Sequence, residues 1–193
     1  MSTQYGKFEF PIIKTERLIL KDLTLEDADV KNIFEYIKDI EVTKFMDIEP
    51  CKDLNEAKEF IRFHVEDSGC RWGLTVKESN VFIGTCGFHQ WDKKNSTAEI
   101  GYDIGKKYWG QGFMYETLQA ALRFGFDSME LSKIIATIEV DNERSIKLVK
   151  RLGFNREDGL RDALIYFYLT KSQNFEKLQG EGANHEQRIF PDT

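Results

Sequence analysis

Two glycines flank one polar residue in "YWGQGFMYE", at Gly110-Gln111-Gly112, where helical periodicity begins. A helix starting there has no Ser, Thr, Asp or Asn to cap it, so its first backbone N–H groups need another acceptor. Glycine lets the backbone approach a ligand closely, and the positive end of a helix dipole favours an anion. A diphosphate supplies acceptor oxygens and negative charge together. A tight turn with water on the amides is the other reading, and on the two glycines alone it is the preferred one. The pattern lacks the Lys-Ser/Thr of a P-loop and the third glycine of a dinucleotide fingerprint, which argues against both. Just upstream, "TAEIGYDI" places Glu99 with Thr97, Gly101 and Asp103 on the less apolar face of a strand. Ala98, Ile100, Tyr102 and Ile104 take the other face.

Elements on either side must hold these residues. "RLILKDL" alternates as a first strand, and Thr24 with Asp27 reads as a capping box. A helix follows with Val30, Ile33, Phe34, Ile37 and Ile40 on one face. Pro50 separates it from a second helix that starts near Asp53, with Glu56 three residues on and Ala57, Phe60, Ile61 and Val65 inward. "RWGLTVKE" and "VFIGTCGFHQW" form a hairpin through "ESN". The helix after the glycines buries Met114, Leu118, Ala121, Leu122 and Gly125. "KIIATIEV" is a strand, and "NERSIKLVKRL" a helix capped by Asn142 and ended by Gly153. "FNRED" and "ALIYFYL" complete a mixed α/β (α+β) chain of about seven strands with helices on both faces. Residues 1–179 read as one domain and 180–193 as a polar tail.

The chain of 193 residues carries a net charge of -6, which argues against a nucleic-acid partner and fits a basic acceptor or plain solubility. Cys51, Cys70 and Cys86 suit neither a disulfide framework nor a zinc site, and His64, His89 and His185 make no metal pattern. No signal-peptide pattern or membrane-spanning run occurs, which gives the expectation of a cytoplasmic protein.

"AEIGYDIGKKYWGQGFMYETL" followed by "IEVDNERSIKLVKRLGF" resembles the GCN5-related N-acetyltransferases, and more narrowly their RimJ/RimL-like branch. "TERLILKDLTLEDA" is similar to that branch's opening. The likeness runs from about Thr15 to about Leu169. It implies the acyl-CoA N-acyltransferase fold, a mostly antiparallel twisted sheet, and acetyl-CoA as cosubstrate with no metal. The family's phosphate loop has Gln or Arg, then Gly, then Gly or Ala; Lys107, Gly110 and Gly112 stand at those places, with Lys107 a departure. By resemblance, amides around Gln111, Gly112, Phe113, Met114 and Tyr115 hold the diphosphate. Tyr102 and Ile104 hold the pantetheine arm by backbone bonds, and Asn142 contacts that arm. Trp109 packs in the core or covers the loop, the core being the preferred place. Val149 stands where many members have a proton-donating Tyr. Ser145 fills the alternative position that the RimJ/RimL-like branch uses.

Acetyl transfer to an amine needs a deprotonated amine, donors for the carbonyl oxygen and a proton for the leaving thiolate. Glu99 is the candidate base, acting directly or through water; holding the cationic amine is its other reading. Ser145 is the candidate acid, or a hydroxyl bonded to backbone. Asp103 and Glu139 are assigned structural or solvent contacts. Trp72, Phe88 and Trp91 line the acceptor site or serve the core. The expected activity is an amine N-acetyltransferase, monomer or homodimer, whose acceptor is a peptide N-terminus, such as that of a ribosomal protein, or a small amine. A CoA-binding module without turnover is the alternative.

Overall fold

The computed structural model describes residues 10–46, 48–67 and 69–174. In chain order the elements are β1 (Ile13–Lys14), β2 (Leu18–Asp22), α1 (Asp27–Ile37), α2 (Ile40–Thr43), α3 (Leu54–Arg62), β3 (Gly69–Val76), β4 (Val81–Asp92), β5 (Thr97–Ile104), α4 (Phe113–Asp127), β6 (Lys133–Glu139), α5 (Glu143–Leu152), β7 (Asn155–Arg156) and β8 (Leu164–Thr170). The sheet has eight strands, ordered β1-β2-β3-β4-β5-β6-β8-β7 and mostly antiparallel. The expectation of about seven differs by β1, a two-residue strand paired with β2. The tail from Gly180 lies outside the described residues.

The chain forms two compact units that share β4, β5 and α4 along the backbone. The first takes in the described residues of Met1–His89 and Gly101–Ala121. In it β2 pairs with β3 from Leu18↔Val76 to Asp22↔Trp72, and β3 pairs with β4 through the expected hairpin. Helices α1 and α3 bury Val30, Ile33, Tyr36, Ile37, Ala57, Phe60 and Ile61 in one apolar cluster. Asp53 caps α3 by accepting from the Asn55 and Glu56 amides.

Three local expectations for this unit are corrected. Thr24 does not cap α1: its N–H and hydroxyl both donate to Asp29, and Glu26 stands at the cap with no side-chain bond. Ile40 is 65% exposed because α1 ends at Ile37 and Asp39 starts the separate turn α2, its carboxylate accepting from the Glu41 amide. Val65 is 41% exposed because α3 gives way at Phe63 to a wider π turn, which breaks the 3.6-residue spacing.

The second unit takes in Gln90–Ile100 and the described residues of Leu122–Thr193. Here β5 starts parallel to β6, and β6 runs antiparallel to β8 from Lys133↔Thr170 to Glu139↔Leu164. Ile134, Ala136 and Ile138 alternate inward with Ile165, Phe167 and Leu169. Helix α5 buries Val149 and Leu152 and ends at Gly153 in the left-handed conformation (φ +94°).

Candidate active site

The parallel ladder between β5 and β6 has three rungs, Thr97↔Lys133, Ala98↔Ile134 and Glu99↔Ile135. It ends there, although β5 runs on to Ile104 and β6 to Glu139. Glu99 therefore stands at the last rung. Its half-buried carboxylate accepts a hydrogen bond from the hydroxyl of Thr137, two residues beyond the rung on β6. That bond orients one of the two carboxylate oxygens. Glu139, assigned solvent contacts, is exposed.

In the same unit Asn142 caps α5, its Oδ1 accepting from the Ser145 N–H at 3.2 Å. The cap uses the backbone of Ser145 and not its hydroxyl. Val149, at the position many members give to Tyr, is fully buried. All three cysteines are free. Burial pushes the thiols of Cys70 and Cys86 far up, Cys86 to about 12, and burial with the charges of Glu56 and Asp53 raises that of Cys51.

The rest of β5 belongs to the first unit, where a buried ion pair fastens it. Asp103 pairs with Arg71, their side chains 5% and 7% exposed. Its carboxylate also accepts from the Tyr36 hydroxyl at 2.8 Å and from the Thr85 hydroxyl at 2.8 Å, while Arg71 Nε donates to Thr85 Oγ1 at 2.7 Å. The structural role assigned to Asp103 holds. The strict alternation of β5 does not: Asp103 is buried, whereas Tyr102 and Ile104 are half-buried. A guanidinium and two hydroxyls on the supposedly polar face compensate the charge, so that face closes over it.

Beyond β5 the chain makes a single 3-10 turn, Lys106–Tyr108. Trp109 is half-buried and its indole N–H donates to the Ile104 carbonyl at 2.8 Å, so it braces the turn and is not a core residue. The Gln111 side chain returns to the Lys107 carbonyl at 2.7 Å, and the exposed Lys107 ammonium lies 5.7 Å from the Tyr108 ring centroid. Gly110 and Gly112 both have positive φ, +72° and +80°, so the turn's shape itself requires glycine. A Cβ on Gly110 would meet nothing within 4 Å. The first α4 bond runs from the Glu116 N–H to the Gly112 carbonyl, which makes Gly112 the cap and leaves the opening amides to an outside acceptor. Phe113 and Tyr115 are half-buried and Met114 is buried. This exposed turn, open above Gly110 and leading into a helix N-terminus, fits a diphosphate.

Three residues around the candidate site, Thr137, Arg17 and Glu116, are not marked by the sequence. Thr137 is one polar residue in an apolar strand, visible only once the β5–β6 register is known. Arg17 belongs to "TERLILKDL" and reaches the turn: its Nη1 donates to the Gln111 carbonyl at 2.9 Å and its guanidinium lies 4.3 Å from the Phe113 ring centroid. Its Nε also pairs with Glu116 in the first turn of α4. Trp72 and Phe88 are buried in the core, and Trp91 is half-buried with Lys93 over its ring.

Residues 17–155 match the family described as Acetyltransferase (GNAT) domain, and the chain belongs to that family. It is an N-acetyltransferase, an acyltransferase of a family that uses acetyl-CoA and acts on amines. An uncharacterised N-acetyltransferase, p20, of Bacillus licheniformis is 44% identical over 152 residues, 77% of this chain and 84% of that one. The ribosomal protein uS5-alanine N-acetyltransferase of Escherichia coli (strain K12) is 34% identical over 104 residues, 53% of this chain and 54% of that one. Spermidine N-acetyltransferase of Vibrio cholerae, solved with CoA and spermine, has a similar fold, with a TM-score of 0.72 at 21% identity over 82% of this chain and 98% of that one. No helix among the described residues is long and apolar enough to cross a membrane.

Proposed function

We propose that the chain moves the acetyl group of acetyl-CoA to a primary amine by direct attack in a ternary complex, residues 1–179 acting as one N-acetyltransferase domain. The acceptor is a protein N-terminal α-amine, such as that of a ribosomal protein, or a small amine. The similarity to a uS5-alanine acetyltransferase and the likeness to a spermidine acetyltransferase are why both acceptor classes stand.

The observation that carries this reading is the end of the β5–β6 ladder at Glu99. The backbone of β5 past that rung, at Tyr102 and Ile104, takes the pantetheine arm as an added strand would. Trp109 occupies one lone pair of the Ile104 carbonyl, so Ile104 accepts on its second. The amides of Gln111, Gly112, Phe113, Met114 and Tyr115 take the diphosphate. Glu99, oriented by Thr137, removes the amine's proton directly or through a water. The hydroxyl of Ser145, which makes no hydrogen bond among the described residues, protonates the departing thiolate. Asn142 Nδ2 contacts the pantetheine arm, since Oδ1 is committed to the α5 cap.

Buried thiols with raised pKa values are poor nucleophiles, which favours direct transfer over an acetyl-cysteine route. The test is release of free CoA thiol from acetyl-CoA with N-terminal peptides, polyamines and aminoglycosides as acceptors. Intersecting double-reciprocal plots are expected. Parallel plots would overturn the ternary complex, and turnover of no acceptor would overturn the amine substrate.

A further inference from the structure

Arg17, in the bend just before β2, makes contacts that pairing of β2 does not need. From β2's leading end it reaches the glycine turn and the first turn of α4, both in the same unit. Glu116 Oε2 accepts from Arg17 Nε at 2.7 Å, and Oε1 accepts from the Arg17 N–H at 2.7 Å and the Thr15 hydroxyl at 2.5 Å. Nη1 holds the Gln111 carbonyl at 2.9 Å, and Nη2 lies 3.4 Å from where a Cβ on Gly112 would stand.

Two consequences follow from these contacts. In a trans peptide the C=O and N–H point opposite ways. Arg17 grips the carbonyl of the Gln111–Gly112 peptide, so the Gly112 N–H is turned away from that contact. The second consequence is electrostatic. Glu116 is a carboxylate one turn inside a helix end that is to receive a diphosphate, and unpaired it would repel that ligand. The guanidinium cancels its charge.

We propose that Arg17 is the positioning residue of the diphosphate turn, fixing the direction of the Gly112 amide and neutralising Glu116, so that it governs affinity for the diphosphate half of CoA. This rests on the acetyl-CoA reading given above. S-acetyl-pantetheine is the discriminating probe, because it keeps the thioester and lacks the diphosphate.

In Arg17→Ala, kcat/KM for acetyl-CoA should fall about tenfold further than kcat/KM for S-acetyl-pantetheine, the scale of one or two charge-assisted hydrogen bonds. The loss should sit in KM. Arg17→Lys keeps the charge but cannot span Glu116 and Gln111 together, so it should recover only part of the difference. It also carries the comparison if the alanine variant does not fold. Equal losses on both donors, or full recovery by lysine, would overturn the inference while leaving the acetyl-CoA reading intact. A wild-type chain that binds no CoA in calorimetry would overturn both.

Discussion

Thr137 on β6 donates its hydroxyl proton to Oε1 of Glu99 on β5, one strand away and at the rung where their ladder stops. The bond orients the carboxylate, and a general base works only within hydrogen-bond reach of its proton. Glu99→Gln should lower kcat by about a hundredfold or more, the usual share of general-base catalysis, with CoA affinity unchanged by calorimetry. Thr137→Val should lower kcat by a smaller factor, because the base remains and only its orientation is lost. The double variant should be no slower than Glu99→Gln alone, since the two act as one unit. An unchanged rate in Glu99→Gln would remove Glu99 from the base role.

The two glycines of the turn share a positive φ and differ in what surrounds them. An alanine at Gly110 has open space but an unfavourable positive φ, a cost of about 1–2 kcal/mol in stability. A valine at Gly112 carries the same strain, places its Cβ 3.4 Å from Arg17 Nη2 and adds bulk at the amide end of α4. Gly112→Val should abolish CoA binding in calorimetry while the thermal melt stays cooperative. Normal CoA affinity in that variant would make the turn a simple connection.

Most of the fold was legible because its elements have strong periods and caps. The 3.6-residue spacing of α1, α3 and α4 and the alternation of β6 and β8 each report one buried face. Asp53, Asn142 and Gly153 mark ends by local chemistry that a window of a few residues contains. The misreadings arise where a distant partner overrides the local pattern. Asp103 sits on the polar face of β5, and only Arg71, Thr85 and Tyr36 explain its burial. Near the candidate site, the glycine turn and the Asn142 cap of α5 were readable from spacing, and Glu99 enters as a candidate from its place on β5 and from family likeness. Arg17 and Glu116 were not readable, because they lie 99 positions apart and no sequence period links them.

The Arg71–Asp103 pair gives a stability prediction. Removing one partner leaves the other charge buried and uncompensated. Asp103→Asn should cost about 3–5 kcal/mol in urea unfolding. Tyr36→Phe removes one donor to a charged acceptor and should cost about 1.5–3 kcal/mol. Replacing both charges, as Arg71→Met with Asp103→Leu, should cost less than Asp103→Asn alone. If the double variant is the less stable one, the pair stabilises the fold by more than its own desolvation, and the argument from burial is wrong.

His64 supplies a pH prediction with a definite sign. Its ring packs edge-on to Phe60 with centroids 4.3 Å apart, and burial, then the Arg71 guanidinium and electrostatic interaction with His89, lower its pKa to about 3 from an ordinary 6.5. The folded state therefore keeps His64 neutral where the unfolded state already binds a proton. Stability must fall as pH drops below about 6.5 and go on falling toward pH 3. Glu116 adds to the loss only at lower pH: burial raises its pKa, but hydrogen bonds from Thr15 and Arg17 and the guanidinium charge outweigh that and hold it below the usual carboxylate value. Its contribution is present above the ordinary carboxylate range and disappears as pH falls through the lowered value. Denaturant unfolding from pH 7 to 5 should thus show a decline that His64→Gln largely removes and Glu116→Gln does not. A decline of equal slope in His64→Gln would place the titrating group elsewhere.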